Sequence, residues 1–212
     1  MITAAALVLT GFLLFSAKET PAQEAEAPTD QGQAGALVDE DLLVREDSPR
    51  LSEGDQAVFV EFLDFECEAC VALYPVIEEL RDEYGDQVSF VVRHMPLHGN
   101  SLNAALAAEA AAEQGEFEAM YKRLFETSEE WGHQQESQQE TFFGFAEDLG
   151  LDMERFESDF EDPALLERVE QSQQDGVNVG VSGTPTFFLD GQRLEPSSTP
   201  DLENAIEDAL DD

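Results

Sequence analysis

Cys67 and Cys70 are the two cysteines of the chain, and they stand three positions apart. An apolar, β-prone run, Ala57-Val58-Phe59-Val60, leads into them, and a helical pattern from Val71 to Leu80 follows. A strand, a tight turn, a CxxC and a helix constrain the chain more than any other feature, because that context makes two nearby thiols a redox pair. A thiol at a helix N-terminus meets unpaired backbone N–H groups and the positive end of the helix dipole. Both favour the thiolate, the reactive form. The spacing puts Cys67 at the exposed start of the helix and Cys70 one turn further in, shielded and poised to attack a mixed disulfide. With only two cysteines there is no disulfide framework, which suits a catalytic pair better than a stapled scaffold.

The run Glu61-Phe62-Leu63-Asp64-Phe65-Glu66-Cys67-Glu68-Ala69-Cys70 resembles the DsbA-type branch of the thioredoxin superfamily. A second stretch, Val181-Ser182-Gly183-Thr184-Pro185-Thr186-Phe187-Phe188-Leu189-Asp190-Gly191, resembles that family's cis-proline loop and the strand after it. The resemblance covers residues 53–211. It implies an α/β, thioredoxin-like fold with an inserted α-helical domain, and a thiol–disulfide oxidoreductase. It also implies a cis Thr184-Pro185 bond facing Cys67, with the Thr184 backbone offered to an extended substrate segment. Glu61, six residues before Cys67, matches a family carboxylate that moves the proton of the buried cysteine. A carboxylate inside a strand is costly without a task or a partner, although an outward-pointing edge position is the plainer alternative. The partners implied are cysteine-containing exported proteins and a quinone-linked membrane protein that reoxidises the pair.

Glu68 and Ala69 depart from the family pattern, which places a cationic or polar residue before the second cysteine. With Asp64 and Glu66 nearby, the local charge is negative. The expectation is a raised Cys67 pKa and a pair less oxidising than a strong oxidase. The reading is disulfide formation in exported proteins, with a reductase or isomerase as the alternative within the same class. A copper or zinc carrier using the CxxC and a histidine is a rival from another class, as is an assembly module with a vestigial CxxC. Structural zinc needs four ligands, and His94, His98 and His133 are the remaining imidazoles. No cofactor and no bound metal are expected.

The chain is 212 residues with 48 acidic against 10 basic residues, a net charge of −38. Nucleic acid needs a basic surface and is excluded as a partner. The acids run through the helical segments (Glu78, Glu79, Asp82, Glu83; Glu147, Asp148, Glu154, Glu157) instead of forming one tail. That reads as adaptation to very high salt, where screening removes the repulsion, and hence as a halophilic source.

Residues 1–17 are largely apolar and read as a membrane anchor or signal segment, which places the body on the extracytoplasmic face or outside the cell. Residues 18–41 read as a disordered acidic linker, although Leu42-Leu43-Val44 suits a short edge strand. Residues 42–100 form the first half of the thioredoxin-like domain, 101–176 the helical insertion and 177–212 the second half. Predicted strands are Ala57 to Phe62, Gln87 to Arg93, and a hairpin from Pro185 to Leu194. Predicted helices run to Tyr84, then over Ser101 to Gln114, Glu116 to Thr127, Thr141 to Leu149, Met153 to Phe160, Pro163 to Gln174, and Thr199 to Leu210. His94 and His98 fall in a strand-exit loop, and the aromatic stripes read as core. A monomer is expected.

Overall fold

A computed structural model describes residues 37–211. The anchor or signal segment at 1–17, and the linker up to residue 36, lie outside the described residues. Among those described, no helix is long and apolar enough to cross a membrane.

Strands β1 (Ala57–Leu63), β2 (Val88–His94), β3 (Thr186–Leu189) and β4 (Gln192–Leu194) form a sheet in the order β2-β1-β3-β4. β1 pairs parallel with β2, as a helical crossover requires, and antiparallel with β3. β1 and β2 read as continuous apolar runs because both faces of the sheet are covered. β3 and β4 form a tight hairpin whose turn, Asp190-Gly191, has positive φ at both residues (47° and 79°). That is the two-residue turn whose twist matches flanking strands.

Alternation along β1 divides the core. Phe59 and Leu63 point to the face covered by α2 (Glu68–Tyr84) and α9 (Thr199–Asp211). Val60 and Phe62 point to the opposite face, with Leu43, Met95 and Phe188. Period 2 puts Glu61 on the α2 face. Between β2 and β3 lie α3 (Ser101–Ala112), α4 (Phe117–Glu126), α5 (Ser128–Trp131), α6 (Gln139–Asp148), α7 (Met153–Phe160) and α8 (Pro163–Asn178). α3 is buried on nearly every side, which its alanines permit by taking little volume. The stripes Phe117, Met120, Tyr121, Leu124 and Phe125, with Phe142, Phe145, Phe156 and Phe160, are buried around it. Asp152 and Asp162 cap α7 and α8 through their side chains.

Four expectations need correction. Leu42 and Leu43 end a short helix, α1 (Glu40–Leu43), because Asp39 caps it by accepting the Asp41 N–H. The linker does not extend to residue 41: Leu37 bridges Gln192, and the Val38 N–H donates to Gly191 O at 2.9 Å. α8 continues past Gln174 to Asn178 because its last turns pack on the sheet through Gly176. His94 is the last residue of β2, buried, with Nε2 2.8 Å from Glu109 Oε1 on α3.

Candidate active site

β1 ends at Leu63, and the turn Asp64-Phe65-Glu66 delivers Cys67 to the start of α2. Cys67 is the N-cap residue, with extended backbone (φ −78°, ψ 121°). Its N–H donates to Asp64 O at 3.1 Å, and its carbonyl accepts the Val71 N–H at 3.0 Å. The expectation that Cys67 is exposed needs correction: it is 8% exposed because the Thr184-Pro185 loop lies against its sulfur, and Cys70, inside the first turn, is 1% exposed. Both are thiols in the structure. α2 runs unbroken through Pro75.

The cis Thr184-Pro185 bond brings the loop before β3 across from Cys67. The Cys67 thiol donates to the Thr184 carbonyl oxygen at 3.2 Å. Glu61 lies beneath, on a strand flanked by β2 and β3 (opposite Val92 and Phe187) and 5% exposed. It is not an edge residue. Of the residues singled out from sequence, Glu61, Cys67, Cys70, Thr184 and Pro185 converge here. Glu68 and Ala69 are exposed, on the outer lip.

The electrostatics separate the two thiols. A hydrogen bond from the Cys70 thiol, outweighing the cost of burial, brings the Cys67 pKa down to about 5, with further help from the Thr184 side chain and the Cys70 and Ala69 backbone. The same hydrogen bond, then burial and the charge of Glu61, push Cys70 far up, so it stays protonated. Burial raises Glu61 to about 8, with the charges of Cys67 and Glu78 adding to it. The expected rise at Cys67 is therefore reversed. The acids counted against the thiolate are engaged elsewhere. Asp64 accepts from Glu66 N and Leu97 N (both 2.8 Å), from His98 Nδ1 (2.7 Å) and from Ser101 Oγ. Glu66 accepts from Asn100 N (2.7 Å) and His133 N (2.6 Å). Glu68 points outward and pairs with His133 Nε2 at 3.2 Å.

Sequence reasoning missed His98 and His133, and the part Asp64 and Glu66 play in tying the turn to the segments around them. No local pattern announces a contact between residues 66 and 133. It exists only once the helical block has folded over the turn.

A groove of about 480 Å³ runs from the cis-proline loop between α2 and the β4–α9 connection. Leu73, Pro185, Phe187, Leu194 and Pro196 line it.

A dithiol at a helix N-terminus, a cis-proline loop over it and a carboxyl beneath define a thioredoxin-like centre on a fold with a helical block between β2 and β3. A family model described as "Thioredoxin" matches residues 53–208, and the chain belongs to that family. It is similar to curated proteins named Na(+)/H(+) antiporter NhaA. Identity is 40% over 151 residues to one from Herminiimonas arsenicoxydans, covering 71% of this chain and 23% of that protein. Identity is 36% over 192 residues to NhaA 3 of Salinispora tropica, covering 87% and 28%. The chain thus spans about a quarter of the length of these relatives. Among solved structures it is similar to a thioredoxin-like oxidoreductase from Silicibacter pomeroyi, with TM-score 0.69 and 28% identity over 82% of this chain and 99% of that one. The thiol-disulfide exchange protein alpha-DsbA2 from Wolbachia pipientis shares the fold, with TM-score 0.68 and 22% identity over 80% and 90%.

Proposed function

We propose that the protein catalyses thiol–disulfide exchange through Cys67 and Cys70, in the direction that forms disulfides in cysteine-containing exported proteins. The observation that carries this reading is the asymmetry of the pair: Cys67, at the helix start and against Thr184, has a pKa of about 5, while its buried neighbour is held protonated. Stabilising the Cys67 thiolate stabilises the dithiol relative to the disulfide, so the disulfide is a strong oxidant.

In the oxidised protein a substrate thiolate attacks Cys67 Sγ. The Cys67–Cys70 bond breaks, and Cys70 leaves as a thiolate. Glu61, whose burial raises its pKa, supplies the proton that Cys70 takes up. The mixed disulfide joins Cys67 to the substrate, whose chain lies along the Thr184-Pro185 loop and the groove below it. A second substrate thiolate attacks the substrate sulfur of that bond, forming the product disulfide and releasing Cys67 as thiolate. Reoxidation falls to a quinone-linked membrane partner, and the site of action is the extracytoplasmic face of the membrane or beyond it. Both belong to this proposal, as does the halophilic source. The antiporter activity of the longer relatives is not carried over.

Equilibration of the pair with glutathione in molar salt tests the direction. The expected reduction potential is near ~−120 mV, the value of a strong oxidase. A value near ~−270 mV would make the protein a reductase. In the same assay Cys67→Ser removes exchange, and Cys70→Ser accumulates the mixed disulfide.

A further inference from the structure

The chain has three histidines, and two of them stand around the Cys67 turn. His98 Nδ1 is 2.7 Å from Asp64 Oδ2, and the carbonyl of the same Asp64 accepts the Cys67 N–H. His133 spans Cys67 from the helical side, through its backbone to Glu66 and its ring to Glu68, the residues before and after the cysteine. The two rings meet edge to face with centroids 5.7 Å apart. His98 is in contact with Asp64 of the turn and His133 of the α5–α6 segment, and the charges of Cys67 and Glu66, on the same turn as Asp64, act on it from further off. Ser101 of α3, which accepts the His98 N–H at 3.3 Å, is neutral. The His98 side chain is 35% exposed, so it exchanges protons with solvent. The two residues between the cysteines, Glu68 and Ala69, supply no cation.

We propose that His98, oriented by Asp64, is a redox-linked counter-charge for Cys67, binding a proton when the disulfide is reduced and releasing it when the disulfide reforms. The inference rests on the thiol–disulfide reading above. In reduction by glutathione, two thiols become one glutathione disulfide and give up two electrons and two protons. The Cys67–Cys70 bond takes both electrons. One proton goes to Cys70, Cys67 remains a thiolate, and the second proton is retained by a previously neutral His98 instead of passing to solvent. The imidazole's proton affinity is raised first by its hydrogen bond to Asp64 and further by the Cys67 charge. Coupling is reciprocal, so a protonated His98 stabilises the thiolate by as much as the thiolate stabilises the imidazolium.

The test is an NMR titration of the imidazoles in the oxidised and the reduced protein, with His133→Gln assisting assignment. It is paired with the glutathione equilibrium constant as a function of pH. The expected result is a higher His98 pKa in the reduced protein. Between the two His98 pKa values, the equilibrium constant changes by up to an extra factor of ~10 per pH unit. His98→Gln removes that extra dependence and shifts the equilibrium toward the disulfide. A His98 pKa equal in the two redox states overturns the proposal while leaving thiol exchange intact. No exchange with glutathione at any pH overturns both.

Discussion

Glu61 is the residue whose chemistry can be separated from its neighbours by pH. Its folded pKa of about 8 lies above the ordinary carboxyl value of 4.5 because it is buried. A group with a raised folded pKa contributes stability below its unfolded pKa and loses it as pH rises through the folded one. The oxidised protein is therefore expected to lose roughly 3 kcal/mol between about pH 4.5 and 8, less than the full shift because no Cys67 thiolate is present to add to it. Glu61→Gln should flatten that fall. Urea unfolding of both oxidised proteins at pH 5 and pH 9 checks it, and parallel changes in the two would refute the assignment. The disulfide form is the one to use, since neither thiol titrates there. At this scale the sequence was informative where chemistry is local. Cys67, Cys70 and the six-residue offset of Glu61 are all read off one strand-turn-helix segment. The sign of the thiol shift was not legible, because it is set first by the hydrogen bond between the two thiols, while the Asp64 and Glu66 carboxylates are bound to groups far along the chain. Their partners at Leu97, His98, Asn100 and His133 are 33 to 67 positions away.

Among the elements, α8 shows how tightly the helical block is joined to the sheet. A Cβ on Gly176 would stand 3.0 Å from two carbons of the Phe62 ring and 3.2 Å from Met95 Sδ. Phe62 is fully buried and packs edge to face on Phe188, so its ring has nowhere to go. Next to the glycine, Asp175 is buried between Arg93 Nη2 (2.7 Å) and Arg45 Nη2 (2.8 Å), tying α8 to β2 and to the segment after α1. Alanine is the better helix former by about 1 kcal/mol. Overpacking a rigid core site costs about 1–3 kcal/mol. Gly176→Ala is expected to destabilise by about 1 kcal/mol net, measured as a lower urea midpoint at unchanged m-value. A raised midpoint would show that the helix stands further from the sheet. Periodicity made the helices legible, Met153–Phe160 to the residue. It could not show that the end of α8 serves the sheet, since a Gly-Val-Asn tail reads as a helix stop. Nor could it show α1, which needs the Asp39 cap and the anchoring of Arg45 on Asp175.

For the whole molecule the dominant quantity is the net charge of −38. The acids lie on outward faces: Glu79, Asp82 and Glu83 of α2, Glu147 and Asp148 of α6, Glu154 and Glu157 of α7, Glu207 and Asp208 of α9 are all exposed. The few cations offset only a small part of this at the surface, where Arg123 pairs with Asp148, Lys122 with Glu118 and Arg155 with Asp159. Arg93 is spent on Asp175 in the interior, and Arg168 reaches inward to Glu109, which is fully buried and also holds His94. The exposed carboxylates therefore repel one another across a surface with little local compensation, and folding brings them closer than the extended chain does. Raising salt from 0.1 M to 1 M shortens the screening length from about 10 Å to about 3 Å, below the spacing of most such pairs. The thermal midpoint of the oxidised protein is accordingly expected to climb steadily with KCl over that range. A variant with exposed acids of α2 and α9 changed to their amides should start higher and climb less. The amide variant separates charge screening from any general effect of salt on apolar burial, which would act on both proteins alike. Equal slopes for the two, or a midpoint indifferent to KCl, would mean that the acidity of the surface does not govern its stability.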